Sequence, residues 1–140
     1  MNWHWNQYEL TDDRSRMDFE AVFNLLANTY WASDRPRELQ RTAFEHSTCF
    51  SLFQDGKQIG FARAISDHAT FAWIADVIIH PDHRAAGLGK WMMASILEHP
   101  ALATRSQWLA TKDAHTLYER YGFIRFEALR RGPPLPGEPE

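Results

Sequence analysis

Residues 80–90 read His80-Pro81-Asp82-His83-Arg84-Ala85-Ala86-Gly87-Leu88-Gly89-Lys90. Pro81 ends the strand before it, because proline has no N–H for a ladder. Beyond Gly87, the residues Leu88, Trp91, Met92, Ser95 and Ile96 fall on one face of a helix, which His99-Pro100 stops. A strand therefore enters a tight loop with two glycines, and the loop opens a helix. The first turn of a helix carries N–H groups without internal partners, and its dipole adds partial positive charge. Glycine lets a phosphate approach that backbone closely. Helix starts favour Asp or Glu, yet residues 87–92 contain neither, and Arg84 and Lys90 stand there instead. Cations at the positive end of a helix cost stability, which makes sense if an anion belongs in the loop. The alternative is a plain glycine-rich turn with exposed basic residues.

Other phosphate motifs fit worse. A P-loop needs Gly-Lys followed by Ser or Thr, and here Gly89-Lys90 precedes Trp91. The dinucleotide fingerprint fails because its third glycine position is Met92, and it requires a parallel βαβ unit.

Upstream of the loop the texture is that of a meander. The strand Thr48–Gln54 meets Asp55-Gly56, a hairpin signal because both turn positions favour positive φ. The return strand covers 57–65, Ser66-Asp67-His68 turns the chain, and a long strand follows over 69–80. Before the meander, Phe19, Val22, Phe23, Leu26 and Tyr30 share a helical face capped by Asp18, and a second helix covers Arg37–Glu45. A short first strand is expected over 8–11. Downstream come a strand over 106–111, a short helix begun by Asp113 and ended by Gly122, and a last strand over 123–127. The expected class is α/β (α+β): one domain over 1–130, with a mixed, mostly antiparallel sheet flanked by helices in the order β-α-α-β-β-β-α-β-α-β. Residues 131–140, rich in Pro and Gly, read as a loose tail.

With 140 residues, 44% apolar and 24% charged, the chain is the size and composition of one globular domain. A net charge of −3 and the lack of a basic run argue against nucleic acid as a partner. The single cysteine, Cys49, cannot form an internal disulfide and sits in a strand-like run, which points to a buried structural thiol in a reducing compartment. No run is long enough to span a membrane, so a cytoplasmic protein is expected. Seven histidines include no zinc-like cluster; Pro81 prevents the helix that would align His80 with His83, and no metal is expected.

Arg84-Ala85-Ala86-Gly87-Leu88-Gly89 resembles the Arg/Gln-x-x-Gly-x-Gly/Ala signature of the GNAT N-acetyltransferase family. Ala114-His115-Thr116-Leu117-Tyr118-Glu119-Arg120-Tyr121-Gly122-Phe123 resembles that family's second signature, and the two occur in the family's order. The resemblance covers roughly residues 57–127. It implies a domain that takes acetyl-CoA as cosubstrate and acetylates an amine, most simply a primary amine of a small molecule, by direct attack. Backbone N–H groups of Ala85, Ala86, Gly87, Leu88, Gly89 and Lys90 would hold the pyrophosphate, and Arg84 would belong to the same cofactor site. Val77, Ile78 and Ile79 would pair with the pantetheine arm, helped by Thr111, and the Val77 N–H would face the thioester oxygen. Tyr118 would protonate the departing thiolate. Relatives often have glycine where this chain has Ala85 and asparagine where it has Thr111. For the amine's proton the candidate acceptor is Asp76, its pKa raised if buried; the alternative is a carboxylate that orients the amine or caps a bulge. Tyr30 and Trp31, with Asp34 and Arg35 nearby, would shape the acceptor pocket, or serve as core. Dimers are common in the family, which allows a homodimer. Two other readings are a catalytically silent acyl-CoA-binding module and an enzyme acting on a protein amine.

Overall fold

The structure, a computed structural model, describes residues 1–84 and 87–134. Six strands form one sheet in chain order: β1 (Asn2–Trp5), β2 (Tyr8–Thr11), β3 (Thr48–Gln54), β4 (Lys57–Ser66), β5 (Phe71–Ile79) and β6 (Ser106–Trp108). Every neighbouring pair is antiparallel except β5 and β6, which run parallel. Among the described residues, four α-helices accompany the sheet: α1 (Phe19–Ala27), α2 (Arg37–Glu45), α3 (Leu88–Leu97) and α4 (His115–Glu119). The mixed, mostly antiparallel α/β class is as expected.

The local signals act where expected. Asp18 caps α1, its carboxylate accepting from the Ala21 N–H at 3.1 Å. Asp55 and Gly56 take φ values of +50° and +80° in the β3–β4 turn. Apolar burial then splits over the two sheet faces. On one, Leu88, Met92, Met93 and Ile96 of α3 pack with Leu10, Phe50, Leu52 and Ile74. On the other, Val22 and Leu26 of α1 and Phe44 of α2 pack with Phe61 and Ile78. No helix among the described residues is long and apolar enough to cross a membrane.

Three elements depart from the sequence reading. An additional strand, β1, pairs with β2 through a turn with Asn6 at φ +53°. Asn tolerates that left-handed conformation, and Trp3 and Trp5 then turn toward the core. The strand over 106–111 stops at Trp108, because its ladder ends there with the pair Trp73–Trp108. The strand over 123–127 does not form. A strand persists only with a ladder partner, and the neighbouring edge, β6, is three residues long. Phe126 instead meets Trp108 edge to face at 5.0 Å, and Phe123 meets Tyr118 at 6.1 Å.

Candidate active site

A break in the β4–β5 ladder organises the site. Phe61 pairs with Ile78 and Arg63 with Ala75, so Ala62 alone opposes Asp76 and Val77. Two residues facing one is a β-bulge, and Asp76 sits in it at φ +56°. The bulge shifts the alternation of side chains. Before it, Ala72 and Ile74 face α3; after it, Val77 and Ile79 face α3, and Ile78 turns to α1.

Asp76 therefore points to the α1 side, with its side chain only 1% exposed. Its Oδ1 accepts from Trp31 Nε1 at 2.9 Å, and its Oδ2 from Arg35 at 2.8 Å and Arg63 Nε at 2.7 Å. Burial alone pushes the pKa up. The Arg35 hydrogen bond and the charges of Arg63 and Arg35 more than reverse this, and the pKa is lowered. The expectation of a raised pKa is corrected: the carboxylate is buried, but its three donors favour the charged form. Its two oxygens accept from the 31–35 segment and from β4, across the bulge that Asp76 itself occupies.

β5 continues six residues past Trp73, the last residue paired with β6, so its outer edge beyond that point has no partner strand among the described residues. At the tip of β5 a cavity of about 300 Å³ is bounded by Ile79, Arg84, residues 87–90 and Leu117. Arg84 is held across it, its Nε donating to the Ile79 carbonyl at 2.8 Å. Gly87 caps α3 at φ +80°, a conformation that suits glycine, and the first turn of α3 carries no acidic residue. Both features fit an anion at the helix start. Ala85 and Ala86 lie outside the described residues, as does the tail from 135 onward.

A second, larger cavity of about 540 Å³ lies between β6, α4 and the chain around 122–128. Thr111 and Tyr118 line it. The Thr111 hydroxyl accepts the Ala114 N–H at 3.0 Å; α4 begins after Ala114 without a side-chain cap, so the cap expected from Asp113 does not form. Tyr118 is 8% exposed, and its phenol pKa is raised by burial first, then by nearby Asp113 and Tyr30. It is protonated at neutral pH. Leu117 and Tyr118, adjacent on α4, thus face the two cavities, and Tyr121 anchors the helix by donating to the Lys90 carbonyl at 2.6 Å. Tyr30 and Trp31 meet edge to face at 5.0 Å, and Lys112 Nζ lies 5.3 Å from the Tyr30 ring centroid.

The structure gathers Trp31 and Asp76 in one hydrogen-bonded group and brings Tyr30 within electrostatic reach of Tyr118. Arg63 was missed in the sequence. It stands among small residues in Ala62-Arg63-Ala64, and a cation on an otherwise buried strand signals a partner carboxylate. No group of His, Cys, Asp and Glu suited to a metal occurs among the described residues.

The sequence model of the acetyltransferase (GNAT) domain matches residues 45–125. The chain belongs to the GNAT family. Among solved structures, a protein of Xanthomonas campestris pv. campestris described as belonging to the GNAT family is 41% identical with a TM-score of 0.85, covering 91% of this chain and 94% of that one. Of the curated relatives, the N-acetyltransferase ycf52 of Porphyra purpurea is 37% identical over 98 residues, 65% of this chain and 56% of its own length. A Gibberella zeae protein, FG08082, is 27% identical over 117 residues, 69% of this chain and 66% of its own. This GNAT chain thus spans under two thirds of the curated relatives named and nearly all of the bacterial structure.

Proposed function

We propose that this GNAT protein is an acetyl-CoA-dependent N-acetyltransferase acting on a primary amine of a small molecule. The observation that carries the reading is the unpartnered edge of β5 beyond Trp73, leading to an acid-free helix start, with Tyr118 lining the adjoining cavity. Acetyl-CoA supplies an activated acyl carbon and a thiolate leaving group. The N–H groups at the start of α3, with Arg84 and Lys90, hold its diphosphate. The exposed edge of residues 77–79 pairs with the pantetheine amides as a further strand would.

Val77 lies in the bulge, outside the pairing register, and its N–H donates to the carbonyl oxygen as charge develops there. The amine, after losing a proton to water, attacks the acyl carbon, and the carbon–sulfur bond breaks as the amide forms. Tyr118 gives its phenolic proton to the departing sulfur and regains one from solvent. Water takes the amine's proton because the Asp76 oxygens are already occupied. Tyr30 and Trp31 form the apolar wall against which the acceptor rests.

A panel of small amines assayed for free-thiol release from acetyl-CoA tests this function. The reading predicts acetyl-CoA-dependent thiol release with at least one amine. Tight CoA binding with no turnover on any amine or peptide overturns it in favour of the silent module.

A further inference from the structure

Asp76 does more than fill a bulge. Aspartate is one of the few side chains that tolerate the left-handed conformation, and at this position hydrogen bonds hold its carboxylate on the α1 side of the sheet. Three side chains from two places in the chain supply those bonds. Trp31 and Arg35 belong to the connection between α1 and α2, and Arg63 belongs to β4. Both arginines are themselves held. Arg35 also donates to the Oε1 of Gln40, a buried residue of α2, at 3.0 Å. Arg63 reaches the Ser47 hydroxyl at 3.0 Å, and that hydroxyl donates to the Ala43 carbonyl at 2.7 Å. One buried carboxylate therefore ties the 31–35 segment and the end of α2 to the kink in β5. A proton acceptor needs a lone pair open to the substrate, and this side chain is 1% exposed with both oxygens engaged.

We infer that Asp76 is a positioning residue: its carboxylate clamps the acceptor-side segment 31–35 onto the β5 bulge, fixing the Val77 backbone relative to the incoming amine, and takes no proton itself. The catalytic consequence rests on the transferase reading above; the clamp does not. Because the two arginines leave an uncompensated charge when the carboxylate is lost, partner variants are informative alongside Asp76 itself.

The test uses the full chain as wild type, Asp76→Asn, Arg35→Gln, Trp31→Phe and the Asp76→Asn/Arg35→Gln double variant. Amide hydrogen exchange without ligand and steady-state kinetics with the amine found in the panel are measured on each. The clamp predicts faster exchange in residues 31–35 and 75–78 together for both Asp76→Asn and Arg35→Gln. It predicts a kcat lowered about tenfold to a hundredfold in each, the size expected for sub-ångström misplacement, while acetyl-CoA affinity stays within about threefold. The double variant should be no slower than Asp76→Asn, since both break one unit. If Asp76→Asn does not fold, Arg35→Gln and Trp31→Phe carry the same comparison. Exchange changes confined to 75–78 overturn the proposal, as does an Arg35→Gln enzyme within about twofold of wild type when Asp76→Asn is inactive. Wild type without transfer to any amine sinks the transferase reading alone, and the exchange measurement still decides the clamp.

Discussion

Arg63 Nε stands 2.7 Å from Asp76 Oδ2, across a bulged ladder and thirteen residues away along the chain. The pair makes stability depend on pH with a defined sign. Asp76 has a native pKa below its ordinary value of 3.8. Its contribution is therefore complete above that ordinary value and is lost as pH falls through the lowered native one. Removing one partner of such a buried pair costs about 3 kcal/mol. Melting curves of wild type and Asp76→Asn should differ most near neutral pH and draw together only as pH falls below the ordinary carboxylate range.

Tyr118→Phe removes the phenolic proton and leaves the ring packed against Phe123. The expected result is an unchanged affinity for CoA and a kcat lower by about a hundredfold or more. Since the phenol pKa is raised, the wild-type rate should show no loss from this group between neutral pH and about 10. Calorimetry for binding and a pH–rate profile check both statements.

Cys49 is a buried thiol whose pKa is pushed up to about 11, chiefly by burial. Thiolate is the reactive form, so almost none is present at neutral pH. A disulfide reagent should leave the native protein unlabelled and modify one thiol per chain after denaturation.

Gly60 lies where β3, β4 and β5 meet. A Cβ there would stand 2.8 Å from the Leu52 Cδ2 and 3.0 Å from the Ile78 carbonyl oxygen. Leu52 can shift, but the β5 backbone cannot without disturbing its pairing with β4. Gly60→Ala should cost about 1–3 kcal/mol of stability by overpacking, measured by urea denaturation.

The elements that rest on local chemistry were legible in the sequence. Asp18 as a cap, Asp55-Gly56 as a turn and the helical face from Leu88 to Ile96 each depend on neighbours within a few positions. The positions of Gly87 and Tyr118 followed from two signatures in order. What stayed hidden depends on register. An unbroken alternation along 71–79 would put Ile74, Asp76 and Ile78 on one face, and only the pairing with β4 reveals the bulge that separates them. The low pKa of Asp76 stayed hidden for the same reason, since Arg35 and Arg63 reach it only through the fold. The missing strand over 123–127 turns on how little of β6 exists to pair with, which composition cannot express.

The account stands on the start of α3 as the seat of the CoA diphosphate. Gly89 is the place to probe it, because among the described residues a Cβ there would meet the Ile79 Cδ1 at 3.9 Å as its nearest neighbour outside the helix backbone, an ordinary contact that leaves the helix intact. Titration calorimetry of CoA into wild type and Gly89→Glu is the direct measurement. A carboxylate placed in the cradle should weaken binding at least about tenfold, or 1.4 kcal/mol, with a melting temperature close to wild type. Equal affinities in the two proteins would contradict the account.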